Sequence, residues 1–463
     1  MPIFMVEDVV RGTGGALVGG DLGVPVAGVS IDTRTLGVGE VFFAIVGHER
    51  DGHAFVEQAV ARGAACLVVS SVPDDLRGST PVVLVEDTTL ALGRLAAYHR
   101  ARFSLPVAAV TGSNGKTTTK EMMASVLRVL GPVLKPESSF NNQWGLPLTL
   151  FRLGPEHRAA ALELGANQPG EIAALARICR PTVGVVTVVA AAHTEFFGSL
   201  DGVRAEKSAL VRAIPPDGAV VLNADDVRVL AMRDCTAARV VTFGASAGAD
   251  VRTLGAAADA GDGVCFTLGV GERRRPVRLA FAGRHNVINA LAAAGAGHAL
   301  GLAFDDIAAG LEAARPAKGR CVWRRWAGLA VLDDTYNANL VSVRAALDTL
   351  AAGAGTARRV VVLGDMLELG PEAEAAHAEA GRAVALSGAA EFIGVGRHAA
   401  AAVEAARTAG LAESRHTTTF EDTVVLLLKR LVPGDALLVK GSRGMRMEQV
   451  VDALKDHFGG EDG

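Results

Sequence analysis

Short apolar runs alternate with stretches of helical spacing along almost the whole chain. Runs rich in valine, leucine and alanine predict buried strands, and apolar positions three and four residues apart predict helices. Repetition of this strand–helix unit is typical of α/β folds in which a mostly parallel sheet lies between layers of helices. A chain of 463 residues has room for about three domains of ~150 residues each, and we predict three.

Residues 1–85 predict a small N-terminal α/β domain. Strand patterns fall at 26–31, 41–46 and 66–70, and a helical pattern falls at 54–62. Polar residues cluster where two of these strands end: Ser30, Asp32, Thr33 and Arg34 after the first, and the segment 47–53 after the second. Such a cluster can be a capped turn. Hydroxyl, carboxylate and guanidinium groups together also suit a sugar nucleotide, with the arginine as phosphate partner.

Residues 86–316 predict the largest domain, which starts with a helix at 88–100. Strands are predicted at 107–110, 159–164, 183–189 and 219–222, and helices at 120–130, 171–180, 200–213 and 286–300. This alternation predicts a mostly parallel sheet covered on both faces. Between residues 242 and 279 short strands separated by Gly, Ala and Asp indicate an antiparallel excursion.

A basic segment with proline and glycine, 314–320, marks the boundary of a C-terminal domain, 317–463. The predicted elements again alternate, at 329–332, 343–350, 359–363, 372–386, 392–395, 423–431, 436–439 and 447–457. They indicate a Rossmann-like, doubly wound sheet, and ligands of such sheets bind beyond the carboxyl ends of the strands. The segments 333–334, 364–365 and 440–443 each follow a predicted strand.

Residues 107–120, which read VAAVTGSNGKTTTK, combine a strand, a glycine turn and the start of a helix. Glycines let successive backbone N–H groups converge on an anion, and the helix N-terminus adds a positive dipole end. Lys116 would reach the terminal phosphates of a nucleotide, and the Thr117 hydroxyl would ligate magnesium. The first glycine of the usual phosphate-loop pattern is replaced by Val110. The alternative is an ordinary strand-to-helix turn with a solvated lysine, but the flanking strand and helix favour phosphate binding.

Composition narrows the class of protein. A formal net charge of −4 and 50% apolar residues exclude a disordered chain and a broad nucleic-acid-binding surface. Five scattered cysteines without a C-x-x-C pair indicate reduced thiols. No signal peptide is visible at the N-terminus, and the longest apolar stretch, 290–304, is too short to span a bilayer. We expect a soluble cytoplasmic enzyme.

Three polar residues follow or lie between predicted strands of the central domain, and each has an ordinary explanation. Glu163 ends a strand, where it would cap the next helix, serve as a second magnesium ligand or position a water molecule. His193 lies after the strand at 183–189, as a structural residue or as a contact for metal or phosphate. Lys207 has the pattern of a solvated helix residue.

Asn286 and Asn289 lie one helical turn apart, where Asn286 would cap the helix or both amides would read an adenine ring.

These stretches together resemble the Mur ligases, the ATP-dependent amide-forming enzymes of bacterial peptidoglycan synthesis. The similar stretches occur in order in all three domains: 111–117, 141–142 with 145–150, 163–167 with 170–172, His193 with 197–199, 283–286, 333–339, 364–366 with 368–370, and 440–443. The stretches DDTYNAN at 333–339 and GDMLELG at 364–370 favour the member that adds D-alanyl-D-alanine to UDP-N-acetylmuramoyl-tripeptide. The resemblance implies that ATP activates the tripeptide carboxylate as an acyl phosphate, which the dipeptide amine then attacks.

The resemblance also implies roles for individual residues. Lys116 would stabilise the transferring phosphoryl group, Thr117 would hold a first magnesium ion, and Glu163 and His193 would hold a second. Lys207 matches the lysine that family members carry as a carbamate. The remaining implied contacts are Thr111, Gly112, Ser113, Asn114, Gly115 and Thr118 at the phosphates, Asn286 and Asn289 at adenine, Asp334 at the ribose, Arg320 at the γ-phosphate, and Ser30, Asp32, Thr33, Arg34, Gly47, Asp51 and His53 at the UDP portion.

Two other functions remain open at this point. One is a ligase of the same architecture that joins another amino acid to a UDP-muramoyl peptide, or glutamate to folate. The other is a binding module that uses ATP as a switch, although such a module would not need second-metal residues or the Arg320 hinge. The C-terminal domain is expected to bind the incoming dipeptide, and the protein is expected to be a monomer without nucleic-acid partners. The chain departs from the family pattern at Arg50, Gln143, Trp144, Gln168 and Ala209, none of which is assigned a catalytic role.

Overall fold

The computed structural model describes residues 2–47, 49–72, 80–137, 140–190 and 197–459. These residues form three α/β units in chain order, each built around its own sheet. The predicted fold class, with three units and mostly parallel sheets, is confirmed. None of the helices within the described ranges combines the length and apolar content needed to cross a bilayer.

The N-terminal unit contains short strands and few helices. Its elements are β1 (Phe4–Met5), α1 (Val6–Thr13), β2 (Ala16–Gly19), β3 (Pro25–Val26), β4 (Gly28–Ser30), β5 (Glu40–Phe43), a 3₁₀ turn at Gly52–Phe55, α2 (Val56–Ala61), β6 (Cys66–Val69), β7 (Val82–Leu84) and α3 (Thr88–Arg100). Its sheet has the order β2-β7-β6-β5-β4 and is parallel except at β2. Because β4 and β5 are parallel neighbours, the two polar clusters that follow them lie at the same edge of the sheet.

The central unit is the largest. Its elements are β8 (Val107–Thr111), α4 (Lys116–Leu127), a 3₁₀ turn at Arg128–Leu130, β9 (Val133–Leu134), α5 (Gly145–Leu150), β10 (Ala159–Glu163), α6 (Glu171–Cys179), β11 (Val183–Val186), α7 (Leu200–Ala213), β12 (Ala219–Asn223), α8 (Val227–Leu230), a 3₁₀ turn at Ala231–Cys235, β13 (Arg239–Gly244), β14 (Val251–Ala260), β15 (Gly263–Val270), β16 (Arg273–Leu279), α9 (His285–Ala299) and α10 (Phe304–Ala313). The sheet order is β16-β15-β14-β13-β12-β11-β8-β10-β9, so β8 lies between β10 and β11. The pairs β14–β15 and β15–β16 are antiparallel, which confirms the predicted excursion.

The C-terminal unit is doubly wound. Its elements are β17 (Val322–Trp326), β18 (Leu329–Asp334), α11 (Leu340–Ala354), β19 (Arg359–Gly364), a 3₁₀ turn at Gly370–Glu372, α12 (Ala373–Leu386), β20 (Glu391–Val395), α13 (Ala399–Thr408), β21 (Ser414–Thr417), α14 (Phe420–Arg430), β22 (Ala436–Lys440), a 3₁₀ turn at Arg443–Met445 and α15 (Glu448–Phe458). The sheet order is β17-β18-β22-β19-β20-β21. Only the β17–β18 pair is antiparallel among these strands.

Burial on both faces explains which strands could be predicted from the sequence. Every residue of β8, β10, β12 and β22 is buried, because helices cover both faces of the parallel sheets. Such strands show as continuous apolar runs. The edge strand β17 reads VWRRW and is mostly half-buried, so it carries no apolar run and was not predicted from the sequence.

A buried ion cluster holds together the amino-terminal edge of the last sheet. Glu391 is 1% exposed and forms ion pairs with Arg358 and Arg430, and Arg415 lies 3.7 Å away. Arg358 also donates to Asp435 at 2.8 Å. The cluster therefore joins the segments before β19 and β22 to β20 and α14. Removal of one member of such a buried group leaves the opposite charges without a partner.

We predict that Glu391→Gln lowers the free energy of unfolding by about 3 kcal/mol, because it leaves two arginines beside a neutral group. Urea denaturation followed by circular dichroism measures this change. The control is Glu404→Gln, whose carboxylate is 75% exposed and 3.9 Å from Arg407; it should change stability by no more than ~0.5 kcal/mol. Equal effects of the two substitutions would contradict a structural role for the cluster.

Candidate active site

The loop between β8 and α4 has the geometry of an anion cradle. Gly112 and Gly115 have φ angles of 154° and 82°, in the region that disfavours side chains. A Cβ at Gly112 would lie 1.8 Å from Thr187 Oγ1, and one at Gly115 would lie 2.2 Å from Asn289 Oδ1. Both positions therefore require glycine. The helix that follows starts at Lys116, so its unpaired N–H groups face the loop.

Side chains from the neighbouring strands hold this loop in place. Thr187, which follows β11, donates from Oγ1 to the Asn114 carbonyl at 2.6 Å. Ser113 Oγ donates to the Ala190 carbonyl at 2.9 Å and accepts from the Ala190 N–H at the same distance. Thr111 Oγ1 donates to the Leu164 carbonyl, beyond β10, at 2.9 Å. These hydrogen bonds fix the shape of the loop.

Lys116 folds back over the loop. Its Nζ donates to the Gly112 carbonyl at 2.9 Å. Burial lowers the pKa of this ammonium group; the Glu163 carboxylate opposes that shift and Arg320 adds to it. The positive charge of Lys116 over the anion cradle is only partly balanced by neighbouring groups. Such a charge favours binding of a phosphate.

Glu163 connects the loop to the neighbouring strand. The carboxylate is 2% exposed; it accepts from Thr117 Oγ1 at 2.9 Å and from Asn141 Nδ2 at 2.7 Å. The alternative that Glu163 caps the next helix is wrong. The N-terminus of α6 is instead bound by Glu206, which accepts from Gly170 N and Ile172 N, both at 2.7 Å.

Lys207 is not the solvated helix residue that its local pattern suggested. It lies on α7 and is 6% exposed. Burial, and after it repulsion from Lys116, lower its pKa to about 7 against the opposing effect of Glu206. The two helices that carry these lysines pack on opposite faces of the sheet, yet the charge of Lys116 still acts on the Lys207 amine.

The oxygen atoms at Thr117 and Glu163 are of the type that magnesium prefers. The Glu163 carboxylate, held by the Thr117 hydroxyl and the Asn141 amide, suits a cation. Thr117 and Glu163 therefore fit the ligand set of one metal ion. Within the described ranges no three histidines, cysteines or carboxylates cluster as a complete metal site. His193 lies outside the described residues, so its predicted contact with metal or phosphate stays a prediction.

The linker and the C-terminal unit reach the loop directly. Arg320 Nη2 donates to Thr117 Oγ1 at 3.0 Å, and Asn339 Nδ2 donates to Asn114 Oδ1 at 2.8 Å. The Arg320 guanidinium stacks on the Tyr336 ring, with 3.9 Å between Cζ and the ring centroid. The C-terminal unit therefore contributes a cation and an amide to the site of the central unit.

The two asparagines of α9 are buried and use most of their polar atoms internally. Asn286 Nδ2 donates to the Ala282 carbonyl at 2.7 Å, and Asn289 Nδ2 donates to Asn286 Oδ1 at 2.9 Å. Asn289 Oδ1 also accepts from Thr119 Oγ1 at 3.4 Å. The alternative that Asn286 caps the helix is wrong, because the cap position is Arg284 and no side chain caps it. Their contact with adenine stays a prediction.

Asp334 lies at the carboxyl end of β18 and is fully paired. Its Oδ1 accepts from Cys321 N at 3.1 Å and its Oδ2 accepts from Lys440 Nζ at 2.5 Å. Lys440 is 2% exposed and also donates to the Asn337 carbonyl at 2.8 Å. The pair orients the carboxylate, and its predicted contact with a ribose stays a prediction.

The predicted UDP contacts form two turns at one edge of the first sheet. Asp32 accepts from Arg34 Nε at 3.0 Å and Nη2 at 2.6 Å, and these bonds lower the pKa of Asp32. Asp51 accepts from His53 N at 2.9 Å and Nδ1 at 2.7 Å, which likewise lowers the pKa of Asp51. Ser30 Oγ accepts from Asp32 N, Thr33 Oγ1 donates to Gln58, and Gly47 N donates to the Arg50 carbonyl. The turns leave Arg34 exposed at that edge.

Four residues in these contacts were not assigned a role from the sequence. Asn141 supports Glu163, Thr187 supports the loop, Asn339 bridges two units and Lys440 pairs with Asp334. Three of them lie in stretches that carried the family resemblance, and Lys440 also follows a predicted strand of the last sheet. Thr187 had no such signal, because it lies just beyond an apolar strand and looks like an ordinary end residue.

Comparison with known proteins identifies the family. Residues 25–100 match the catalytic domain of the Mur ligase family, residues 110–297 match the Mur ligase middle domain, and residues 319–443 match the Mur ligase glutamate ligase domain. A UDP-N-acetylmuramoyl-tripeptide–D-alanyl-D-alanine ligase from Escherichia coli is 39% identical over 450 residues, which cover 96% of each chain.

Solved structures agree with this match. The crystal structure of MurF from Acinetobacter baumannii is similar with a TM-score of 0.89 and 33% identity, covering 98% of this chain and 99% of that one. MurF ligase from Thermotoga maritima in complex with ADP has a TM-score of 0.81 and 25% identity, covering 93% of this chain and 97% of that one. The chain belongs to the Mur ligase family.

Proposed function

We propose that the protein is an ATP-dependent ligase that adds D-alanyl-D-alanine to UDP-N-acetylmuramoyl-tripeptide in cytoplasmic peptidoglycan precursor synthesis. The named reaction of the Escherichia coli relative, 39% identical over 96% of each chain, supports the substrates. The observation that carries the chemistry is the Thr117 hydroxyl. It contacts Glu163 of the central unit and Arg320 of the linker at 2.9 and 3.0 Å, which is the arrangement needed to receive a triphosphate between two domains.

The proposed reaction brings together two groups of like charge. An oxygen of the tripeptide carboxylate bonds to the γ-phosphorus as ADP leaves, which gives an acyl phosphate. The dipeptide amine then bonds to the acyl carbon; the tetrahedral intermediate loses phosphate, and the nitrogen loses a proton to leave an amide. Lys116 and Arg320 place positive charge at the phosphate loop, where negative charge accumulates, and hydrogen bonds to the loop and to Thr117 hold both side chains there.

Thr117 and Glu163 would hold one magnesium ion, and Glu163, His193 and a carbamate on Lys207 a second. When bound, magnesium neutralises phosphate charge and polarises the bond to the leaving oxygen. Asn141 keeps the Glu163 carboxylate oriented towards Thr117.

The carbamate proposal rests on the buried amine. Carbon dioxide reacts with a neutral amine, and a pKa of about 7 leaves about half of the Lys207 amines neutral at pH 7. Addition of the amine nitrogen to the carbon of CO₂, with loss of one proton, would change a cation next to Lys116 into an anion. The product would remove the repulsion between the two lysines.

The N-terminal unit is proposed to bind the UDP portion. Arg34, 79% exposed beside Asp32, would contact the diphosphate, and Ser30, Thr33, Gly47, Asp51 and His53 would shape the pocket edge. Asn286, Asn289 and Asp334 are proposed on the adenosine side, where burial lowers the pKa of His285 although the Asp334 carboxylate opposes that shift.

Phosphate release tests the assignment of substrates. In the presence of ATP, magnesium and UDP-N-acetylmuramoyl-tripeptide, we expect release only after D-alanyl-D-alanine is added. Release with L-glutamate or another single amino acid, but not with the dipeptide, would instead favour a different ligase of the family. ATP hydrolysis without any acceptor would favour the switch hypothesis.

We predict that Lys116→Ala reduces kcat by about 10²–10³-fold or more, because the charge over the phosphate loop is lost. The fold should be unchanged, since the main contact of Lys116 is one carbonyl. The control is Lys429→Ala, an exposed lysine of α14. Wild-type turnover in Lys116→Ala with an unchanged KM for ATP would contradict the phosphate-loop assignment.

For Lys207→Ala we expect loss of activity that a small carboxylate such as acetate partly restores, because acetate can replace the carbamate oxygens. Activity is measured with and without added acetate, and the same addition to Lys116→Ala is the control. Full activity of Lys207→Ala without acetate would contradict the carbamate.

A further inference from the structure

A cavity of about 280 Å³ lies between the central and C-terminal units, beside the phosphate loop. The volume suits a small peptide rather than a nucleotide sugar. Its lining comes from both units and from the linker: Thr117, Lys120, Glu121, Glu137, Ala317, Lys318, Gly319, Arg320, Thr335, Tyr336, Arg443 and Glu448. The cavity therefore opens next to the hydroxyl at which the triphosphate is proposed to bind.

Most cations of the lining are engaged elsewhere. Lys120, 1% exposed, pairs with Glu121 at 2.6 Å. Lys318 is 65% exposed and 3.5 Å from Asp452, and Arg320 donates to Thr117. Lys120 and Lys318 are thus paired with carboxylates of the protein, and Arg320 is directed at the phosphate loop.

Arg443 differs from them. It donates one hydrogen bond, from Nη1 to Glu448 Oε1 at 2.8 Å, and its side chain is 61% exposed. Within the described part of the chain its Nε and Nη2 groups donate to no other residue. A guanidinium with unused donors can bind a carboxylate through two parallel hydrogen bonds.

Two buried atoms of the lining also lack a partner in the described ranges. Glu448 Oε2 and Arg320 Nε are buried and make no hydrogen bond. Buried polar atoms are almost always paired, so an unpaired acceptor beside Arg443 indicates a missing donor, and an unpaired donor beside Thr117 indicates a missing acceptor. The N–H of a peptide bond would pair with Glu448 Oε2, and a phosphate oxygen at the phosphate loop would pair with Arg320 Nε.

Tyr336 sets the distance between the two ends of the cavity. Arg320 stacks on one part of the ring, with Cζ 3.9 Å from the centroid, and Arg443 Cζ lies 5.6 Å from the same centroid. Such cation–π contacts hold each guanidinium in place. The ring thereby fixes how far the arginine at the phosphate loop lies from the arginine at the far wall.

We propose that Arg443 binds the terminal carboxylate of the acceptor peptide and makes the enzyme selective for a dipeptide over a single amino acid. An extended residue adds about 3.5 Å between amine and carboxylate, so only the longer acceptor reaches Arg443 while its amine is beside Thr117. Glu448 accepts a hydrogen bond from an N–H of the peptide, and Tyr336 is a positioning residue for both arginines. This inference rests on the proposed function.

Removal of either member of the proposed contact tests it. With wild-type enzyme, the KM for D-alanyl-D-alanine amide should exceed that for D-alanyl-D-alanine by about 10–100-fold, the range for a charge-assisted hydrogen bond. In Arg443→Gln the KM for the dipeptide should rise by a similar factor, while the two acceptors become equivalent. The KM for ATP should not change.

Matched variants separate this role from a structural one. Arg446→Gln removes the same charge from an exposed position outside the cavity and should behave as wild type. Arg443→Lys keeps the charge and should have an intermediate KM. Tyr336→Leu should raise the KM for the dipeptide, because it removes the ring that both arginines contact.

The two hypotheses fail in different ways. If wild-type enzyme does not ligate D-alanyl-D-alanine at all, the proposed function is wrong. If it does, but Arg443→Gln discriminates between the dipeptide and its amide as strongly as wild type, only the role of Arg443 is overturned.

Discussion

The hydroxyl of Thr117 is the contact on which the site depends. It donates to Glu163 from the neighbouring strand and accepts from Arg320 of the linker. Both contacts require β8 to lie next to β10 and the C-terminal unit to pack over the loop. A single side chain thus joins the anion cradle, the candidate metal ligand and the second domain, and a shift of any of these three elements would alter the other two.

The chemistry of the site depends on the charges of two buried lysines. Lys116 and Lys207 lie close enough to repel each other, and burial lowers the pKa of both. Such an arrangement is unfavourable for the protein alone, and it favours the arrival of negative charge, either as phosphate or as a carbamate. Acyl phosphates react with water, so a site that lies between two units would also shield the intermediate of the proposed reaction.

The C-terminal unit contributes side chains to the site. Asn339 bonds directly to the phosphate loop, and Tyr336 holds arginines at both ends of the interdomain cavity. Binding of an acceptor in that cavity would therefore act on the same arginine that contacts Thr117. Such coupling would link occupancy by the second substrate to the geometry at the phosphates.

The sequence by itself determined the fold class with its three α/β units, most of the buried parallel strands and the glycines of the loop before Lys116, because apolar spacing and positive φ angles are local requirements. The sequence could not determine which polar residues are buried together. Lys207 and Asn286 had ordinary local patterns, and Thr187 had no signal. Only the tertiary structure decided their environments, because Thr117 meets partners 46 and 203 residues away, and burial and charge depend on such distant contacts and not on neighbours along the chain.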